Sequence, residues 1–188
     1  MVEIVPYQAN WPSDFHNIAS TLRRGLAELA IRIDHIGSTS VAGLAAKDVI
    51  DIQITVAALD EKLMLAMLAM GYSQPEGIWR DHRPANAQGV DFEWEKWFFN
   101  APPGQRRTNT HVRVDGRSNQ RFALLFRDYL RMHSATADAY AELKRRLAMY
   151  LADQSTYPEV KDPAVDLIYL AAEEWATITH WQPGKSDG

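Results

Sequence analysis

The stretch IRIDHIGSTSVAGLAAKDVIDIQITV, residues 31–56, decides how the rest of the chain is read. It runs as a strand from Ile31 into a tight polar turn, Gly37-Ser38-Thr39-Ser40, then a short helix of small residues and a second strand. A turn dense in backbone N–H groups and hydroxyls at the start of a helix has the chemistry an anion needs. In the second strand Ile50, Ile52, Ile54 and Val56 take one face, and Asp51, Gln53 and Thr55 take the other. That period-2 alternation describes a strand with one apolar and one polar side. The apolar side belongs to a buried sheet. The polar side belongs to a cleft, and the neighbouring turn points to phosphate handling there.

Working outward, residues 2–7 read as a short edge strand limited by Pro6. Phe15, Ile18, Leu22, Leu26 and Leu29 recur at helical spacing, which predicts an amphipathic helix over 11–30 with Asn10 as N-cap and Pro12 in its first turn. Residues 60–70 predict a second helix closed by Gly71. Its methionines, Met64, Met67 and Met70, read as core filler. Residues 71–89 are interrupted by Pro75, Gly77, Pro84 and Gly89 and read as a long loop or a hairpin; long loops are a place where function often sits.

Residues 91–100 predict a strand with charge and aromatics on both faces, and 101–107 a turn ending in Arg106 and Arg107. Residues 109–115 alternate, with Asn109, His111, Arg113 and Asp115 opposite Thr110, Val112 and Val114. From Ser118 the pattern is helical: a stripe through Phe122, Leu125, Phe126, Tyr129 and Leu130, then a helix capped by Ser134 carrying Tyr140, Leu143 and Leu147. A last helix is predicted to open at Asp162-Pro163. Strands followed by three helices give an α+β class: a core over 1–117, a C-terminal helical part over 118–181 packed on it, and a flexible tail over 182–188.

With 188 residues and 46% hydrophobic content, the chain has the composition of an ordinary soluble globular protein. It has no cysteine, which excludes disulfides, thiolate metal sites and cysteine nucleophiles. The formal charge of −4 gives no general attraction to nucleic acid. No apolar run approaches a membrane span and no leader pattern is visible, so a cytoplasmic location is expected.

Gly37-Ser38 followed by Asp51 resembles the signature of polymerase-beta-like nucleotidyltransferases. That resemblance implies a nucleotidyltransferase-like mixed sheet with flanking helices, a Gly-Ser turn holding a nucleotide triphosphate, and carboxylates on the next strand binding Mg²⁺. Mg²⁺ takes hard oxygen ligands, and a second metal ordinarily helps activate the attacking hydroxyl. The mechanism wants acids at alternate positions, whereas position 53 is Gln53, whose amide brings no negative charge. At closer range HIGSTSVAGLAAKDVIDI (35–52), NTHVRV (109–114), LLFRDYLR (124–131) and AYAELKRRLA (139–148) look like the hallmarks of the GrpB family. Ala42 and Asp48 stand where that family often has proline.

The candidate site therefore comprises Gly37, Ser38, Thr39 and Ser40 around a phosphate, Lys47, Lys96, His111 and Arg113 neutralising charge, and Asp51 as the catalytic and metal-binding acid. Each has a blander alternative. The turn is then only a strand-to-helix connection, Lys47 a solvated charge at a helix end, and Asp51 a structural partner of Lys47 or Arg113. His111 and Arg113 are then a buried network, and Arg106 and Arg107 ordinary surface arginines rather than a basic rim. Glu93 or Glu95 is the remaining source of a second acid. The apolar faces of the two alternating strands must share a core, so their polar faces should converge, with Asp51 near His111 or Arg113 and the Ser38 turn at one end.

Three functions follow: a nucleotidyltransferase using Mg²⁺, a non-catalytic binder of a nucleotide or other phosphorylated small molecule that lost its second carboxylate at Gln53, or an oligomeric partner-binding protein using the helical tail.

Overall fold

A computed structural model describes residues 2–85 and 87–188. The first helix, α1 (Trp11–Leu26), forms where the periodic pattern is strongest and buries Trp11, Phe15, Ile18, Ala19, Leu22 and Leu26. It stops short of residue 30 because Ala27 turns to φ 47°, and a 3-10 turn, Ala27–Leu29, carries the chain on. Asn10 does not cap it through its side chain, which donates instead to Asp14.

Strand β1 (Arg32–Ile36) pairs antiparallel with β2 (Ile50–Val56). The short helix predicted between them is absent. Only Ser38–Ser40 forms a 3-10 turn. Beyond it, Val41, Leu44, Ala45 and Ala46 are buried in irregular backbone that reverses at Gly43.

Helix α2 (Glu61–Ala69) starts at Asp60, whose carboxylate accepts from the Leu63 amide, as an N-cap should. The strand predicted over 91–100 is split. Asp91–Trp94 is a 3-10 turn that buries Trp94, and only β3 (Trp97–Asn100) pairs, antiparallel to β4 (Thr108–Val114).

Three helices follow: α3 (Ser118–Met132), α4 (Ser134–Tyr150) and α5 (Tyr157–Thr179). The last opens at Tyr157-Pro158 rather than at Asp162, and Pro163 lies inside it. Pro158 takes the first-turn position where a missing N–H costs nothing. Pro163 forfeits the bond to the Glu159 carbonyl. Ser134 likewise makes no side-chain cap for α4.

The sheet order is β1-β2-β4-β3, with β2 and β4 parallel and the outer pairs antiparallel. One face presents Ile33, Ile52, Ile54, Phe99 and Val112 to Trp11, Phe15, Leu22, Leu63 and Met67 of α1 and α2. Each such side chain contributes about 1.5–3 kcal/mol when fully buried. The other face is polar and is covered by α3. There the Gln53 amide donates to the Gln120 carbonyl at 3.1 Å, and Arg127 lies 3.9 Å from Asp34. A second apolar cluster joins α3, α4 and α5 through Leu125, Tyr129, Tyr140, Val165, Tyr169 and Ala172.

The segment read as a flexible tail lies along the free edge of β1. Ser186 Oγ accepts from the Ile33 amide at 2.9 Å, and Asp187 pairs with Arg127 at 2.7 Å. Among the described residues no helix is long and apolar enough to cross a membrane.

Candidate functional site

The polar side of β2 changes character along its length. Gln53 and Thr55 have 0% exposure beneath α3, whereas Asp51, one turn of the pleat earlier, stands in the wall of a cavity of about 540 Å³. β2 and β4 deliver Asp51, Asn109 and His111 to this wall; β3 adds Phe98, and Lys96 comes from the residue just before β3. Asp81 and His82 come from the long loop, Tyr140 and Lys144 from α4, and Tyr157, Lys161 and Asp162 from α5. The parallel register sets Asp51 opposite Asn109 and Gln53 opposite His111.

Gly37 lets the polar turn lie directly on Asp51. It sits at φ 67°, and a Cβ there would stand 2.2 Å from Asp51 Oδ2, so no other residue fits without movement. Asn109 Nδ2 donates to Asp51 Oδ1 at 2.8 Å. Burial pushes the Asp51 carboxyl up, opposed by the Asn109 bond and by the nearby charges of Lys161 and Lys144.

Of the three hydroxyls in the turn only Ser38 lines the cavity. Thr39 is buried with its Oγ1 3.0 Å from His35 Nε2, and Ser40 Oγ donates to the Gly37 carbonyl at 2.6 Å. Both hold the turn together. Ser38 Oγ lies 2.8 Å from Lys144 Nζ, which also donates to the Ala45 carbonyl at 2.6 Å. Burial, reinforced by Lys161, lowers the Lys144 pKa to about 7.

A second network occupies the opposite side. Asp81 accepts from Lys96 at 2.5 Å, from Arg113 at 2.8 and 2.9 Å, and from Asn119 at 3.0 Å. Burial alone would raise this carboxyl, but Arg113 and Lys96 hold it far below the usual carboxylate range. Arg113 also donates to Gln53 Oε1 at 2.6 Å. Arg113 is thus spent on Asp81 and Gln53 under the cavity floor rather than in its wall. His111 Nδ1 lies 3.2 Å from Lys96 Nζ and 3.4 Å from Arg113 Nη2. Two cationic donors at Nδ1 make it the acceptor, which puts the proton of the neutral ring on Nε2. Burial, Lys96 and Arg113 drive the His111 pKa well below its ordinary value, in keeping with that form.

Lys47 and Lys161 differ from the other wall lysines. Neither has an ion-pair or hydrogen-bond partner among the described residues; Lys47 rests 4.2 Å over the Tyr157 ring. Burial lowers the pKa of both. Lys47 does not sit at a helix end, since no helix forms there.

Two other acids stand in the cavity wall with Asp51: Asp162, whose Oδ2 lies 3.7 Å from His82 Nδ1, and Asp81. Gln53 is committed to Arg113 and α3. Glu93 accepts from Ser118 at 2.5 Å and, like Glu95, lies outside the cavity wall. The oxygens of Asp81 are already saturated by cations and an amide. Among the described residues no three His, Asp or Glu side chains converge on one point. This donor set does not fit Mg²⁺, which needs several hard oxygens around it. Arg106 bonds to Asp14 at 2.8 Å and Asp48 at 2.5 Å, away from the cavity.

Asp81, Lys144 and Lys161 are site residues that the sequence reading passed over. A signal existed: Lys144 falls one helical turn after Tyr140, and Lys161 one turn after Tyr157 and one before Val165. A lysine on an apolar stripe has to be explained by something it faces.

The GrpB protein family matches residues 1–170. The chain belongs to the GrpB family. A crystal structure of the conserved protein GrpB from Enterococcus faecalis is 28% identical, covers 92% of this chain and 99% of that one, and superposes with a TM-score of 0.73. The UPF0157 protein BH1888 of Halalkalibacterium halodurans is 32% identical over 189 residues, spanning 98% of this chain and 77% of that protein. The dephospho-CoA kinase of Mycobacterium tuberculosis is 38% identical over 199 residues, 96% of this chain but 48% of the kinase. The GrpB chain thus spans about half the length of these kinase relatives. A structure of the Cid1 poly(U) polymerase with MgGTP bound overlays 77% of the chain at 12% identity and a TM-score of 0.49.

Proposed function

We propose that this GrpB chain binds a phosphate-bearing small molecule, with nucleotides as the leading class, and that Lys47 and Lys161 hold its phosphate without a divalent metal. The observation that carries this reading is the pair of lysines facing one cavity with no ion-pair or hydrogen-bond partner among the described residues. A partly desolvated, unpaired ammonium is costly, and an anion brought to it forms a charge-assisted bond in a low-dielectric setting. The cavity of about 540 Å³ is of a size that takes small ligands. Phe98 offers an aromatic face for a planar base, and His111 and Ser38 supply neutral donors. The commitment of Gln53 to Arg113 supports binding over metal-assisted transfer.

A magnesium-dependent nucleotidyltransferase is the second reading, favoured by Asp51 standing in the wall beside the Gly37-Ser38 turn.

Calorimetric titration with ATP, GTP, dephospho-CoA and pyrophosphate, each in EDTA and in Mg²⁺, separates the two. The first reading expects binding in EDTA, weakened about tenfold or more in Lys161→Ala, the size of one lost charged hydrogen bond. Binding only in Mg²⁺, with product formation, would establish the second reading. No binding by any of the four would remove both.

A further inference from the structure

We propose that Ser38 is a nucleophile and Lys144 its base, which makes the cleft a site of acyl transfer acting on a phosphate-bearing ester or thioester. Three observations carry this. Ser38 Oγ and Lys144 Nζ are 2.8 Å apart, within reach for direct proton transfer. The Ala45 carbonyl, 2.6 Å from the same nitrogen, takes one N–H and orients the amine. Ser38 is also the hydroxyl of the turn left facing the cavity, since Thr39 and Ser40 are committed to His35 and Gly37.

Lys144 is 4% exposed. Lys161 faces it from α5, Asp51 from β2, and Arg145 and the Tyr140 ring, 4.7 Å away, from its own helix. Burial and Lys161 outweigh Asp51 and bring the pKa to about 7, so a substantial neutral fraction exists near neutrality. A neutral amine donates to Ala45 and accepts the Ser38 proton. A lysine whose work was only to pin the turn would do so as an ammonium and leave Ser38 inert.

In the first step the Ser38 Oγ–H proton passes to Lys144 Nζ as the Oγ–C bond to the acyl carbon forms. The bond from that carbon to the alcohol or thiol then breaks, and the leaving group takes the proton from Lys144. Water next attacks the acyl-Ser38 carbon, giving its proton to Lys144, which returns it to Ser38 Oγ as the acid departs. The sum is one ester or thioester and one water converted to one acid and one alcohol or thiol. Only the phosphate in the substrate class rests on the binding reading above; the bond-making step does not.

The test is to label the full chain with an alkyl fluorophosphonate probe, map the adduct by peptide mass, and follow the labelling rate from pH 5 to 9. The expected result is one adduct on Ser38, with a rate that rises through an apparent pKa near 7. Ser38→Ala then gives no adduct, and Lys144→Met slows labelling by about a hundredfold or more. Circular dichroism melts check that both variants fold; if either does not, the wild-type adduct map and pH profile decide alone. No adduct, an adduct elsewhere, or a rate flat across pH 7 overturns the proposal. A chain that binds pyrophosphate but is not labelled loses only this inference. A chain labelled on Ser38 that binds no phosphate loses only the binding reading and the phosphate in the substrate class.

Discussion

Replacing Gly37 by alanine puts a methyl group where the structure has none to spare. The backbone there, φ 67° and ψ −173°, lies in a region essentially reserved for glycine, and alanine in it costs about 1–3 kcal/mol. The new Cβ would stand 2.2 Å from Asp51 Oδ2 and 2.8 Å from both Cβ and Cγ of Asp51. Relief requires the carboxylate to swing off Asn109, losing about 1 kcal/mol of hydrogen bonding, and off its rotamer at about 0.5–1.5 kcal/mol. Together the change should cost ~2.5–5.5 kcal/mol.

Urea denaturation of Gly37→Ala, Asp51→Ala and the double variant divides that sum. Removing the Asp51 carboxylate clears the nearest contact but not the backbone strain. The double variant should therefore be ~1–2 kcal/mol more stable than the two single losses added together. A Gly37→Ala loss below about 1 kcal/mol, or additivity within about 0.5 kcal/mol, would refute the claim that this glycine exists to seat the turn on Asp51.

Asp81→Asn should cost about 3–5 kcal/mol at pH 7, because it leaves Arg113 and Lys96 buried without their counter-charge. The folded-state pKa of Asp81 is depressed, so its stabilisation is complete above its unfolded value near 4 and fades only below it. Denaturation midpoints should show a constant gap between wild type and variant from pH 7 to about 4; a gap already closing at pH 6 would contradict the assignment. His35 is held neutral, its pKa lowered to about 3 by burial and then by Arg131 and Arg127. Its contribution is complete above about 6.5 and is lost as pH falls, with a slope of up to ~1.4 kcal/mol per pH unit between about 6 and 3. His35→Gln should flatten the acid limb of the stability profile by one proton's worth, read by urea melts at half-unit intervals.

Sequence periodicity found the parts of the fold where each element buries its own repeat. The spacing of Phe15, Ile18, Leu22 and Leu26 found α1, and the alternation of Ile50, Ile52 and Ile54 with that of Val112 and Val114 found β2 and β4. Because both strands show their apolar parity to α1 and α2, the convergence of Asp51 and His111 on one cavity was legible too. Residues 41–46 misled because small apolar residues suit a helix and a buried irregular segment equally well. What decided them was Gly37 and Gly43 at positive φ, a backbone requirement that does not appear in a hydrophobic pattern. Asp162-Pro163 and Tyr157-Pro158 both offer a first-turn proline, and the burial of Tyr157 settles the earlier start. The roles of Gln53, Asp81 and Lys144 lay beyond local pattern, since each is defined by a partner far away in sequence.

The charges on the polar face of the sheet follow one arrangement with one exception. Asp34 is held by Arg32 at 2.9 Å, and Asp81 by Arg113 at 2.8 Å. Each acid under the helices thus has its own arginine. An acid at position 53 would have had to share Arg113 with Asp81 while lying opposite Asp34 across the strand pair, so a neutral glutamine there keeps the buried charge balanced. Asp51 is the exception: its contact is the amide of Asn109, not a cation. Among the described residues, the lysines of the same cavity without an ion-pair or hydrogen-bond partner are Lys47 and Lys161. Burial pushes the Asp51 carboxyl up, which weakens its repulsion of an anion. In the proposed binding mode a phosphate would meet the ammonium groups of Lys47 and Lys161, while Asp51 and Asp162 in the same wall gather no third His, Asp or Glu side chain among the described residues, a set that suits an anion better than a metal.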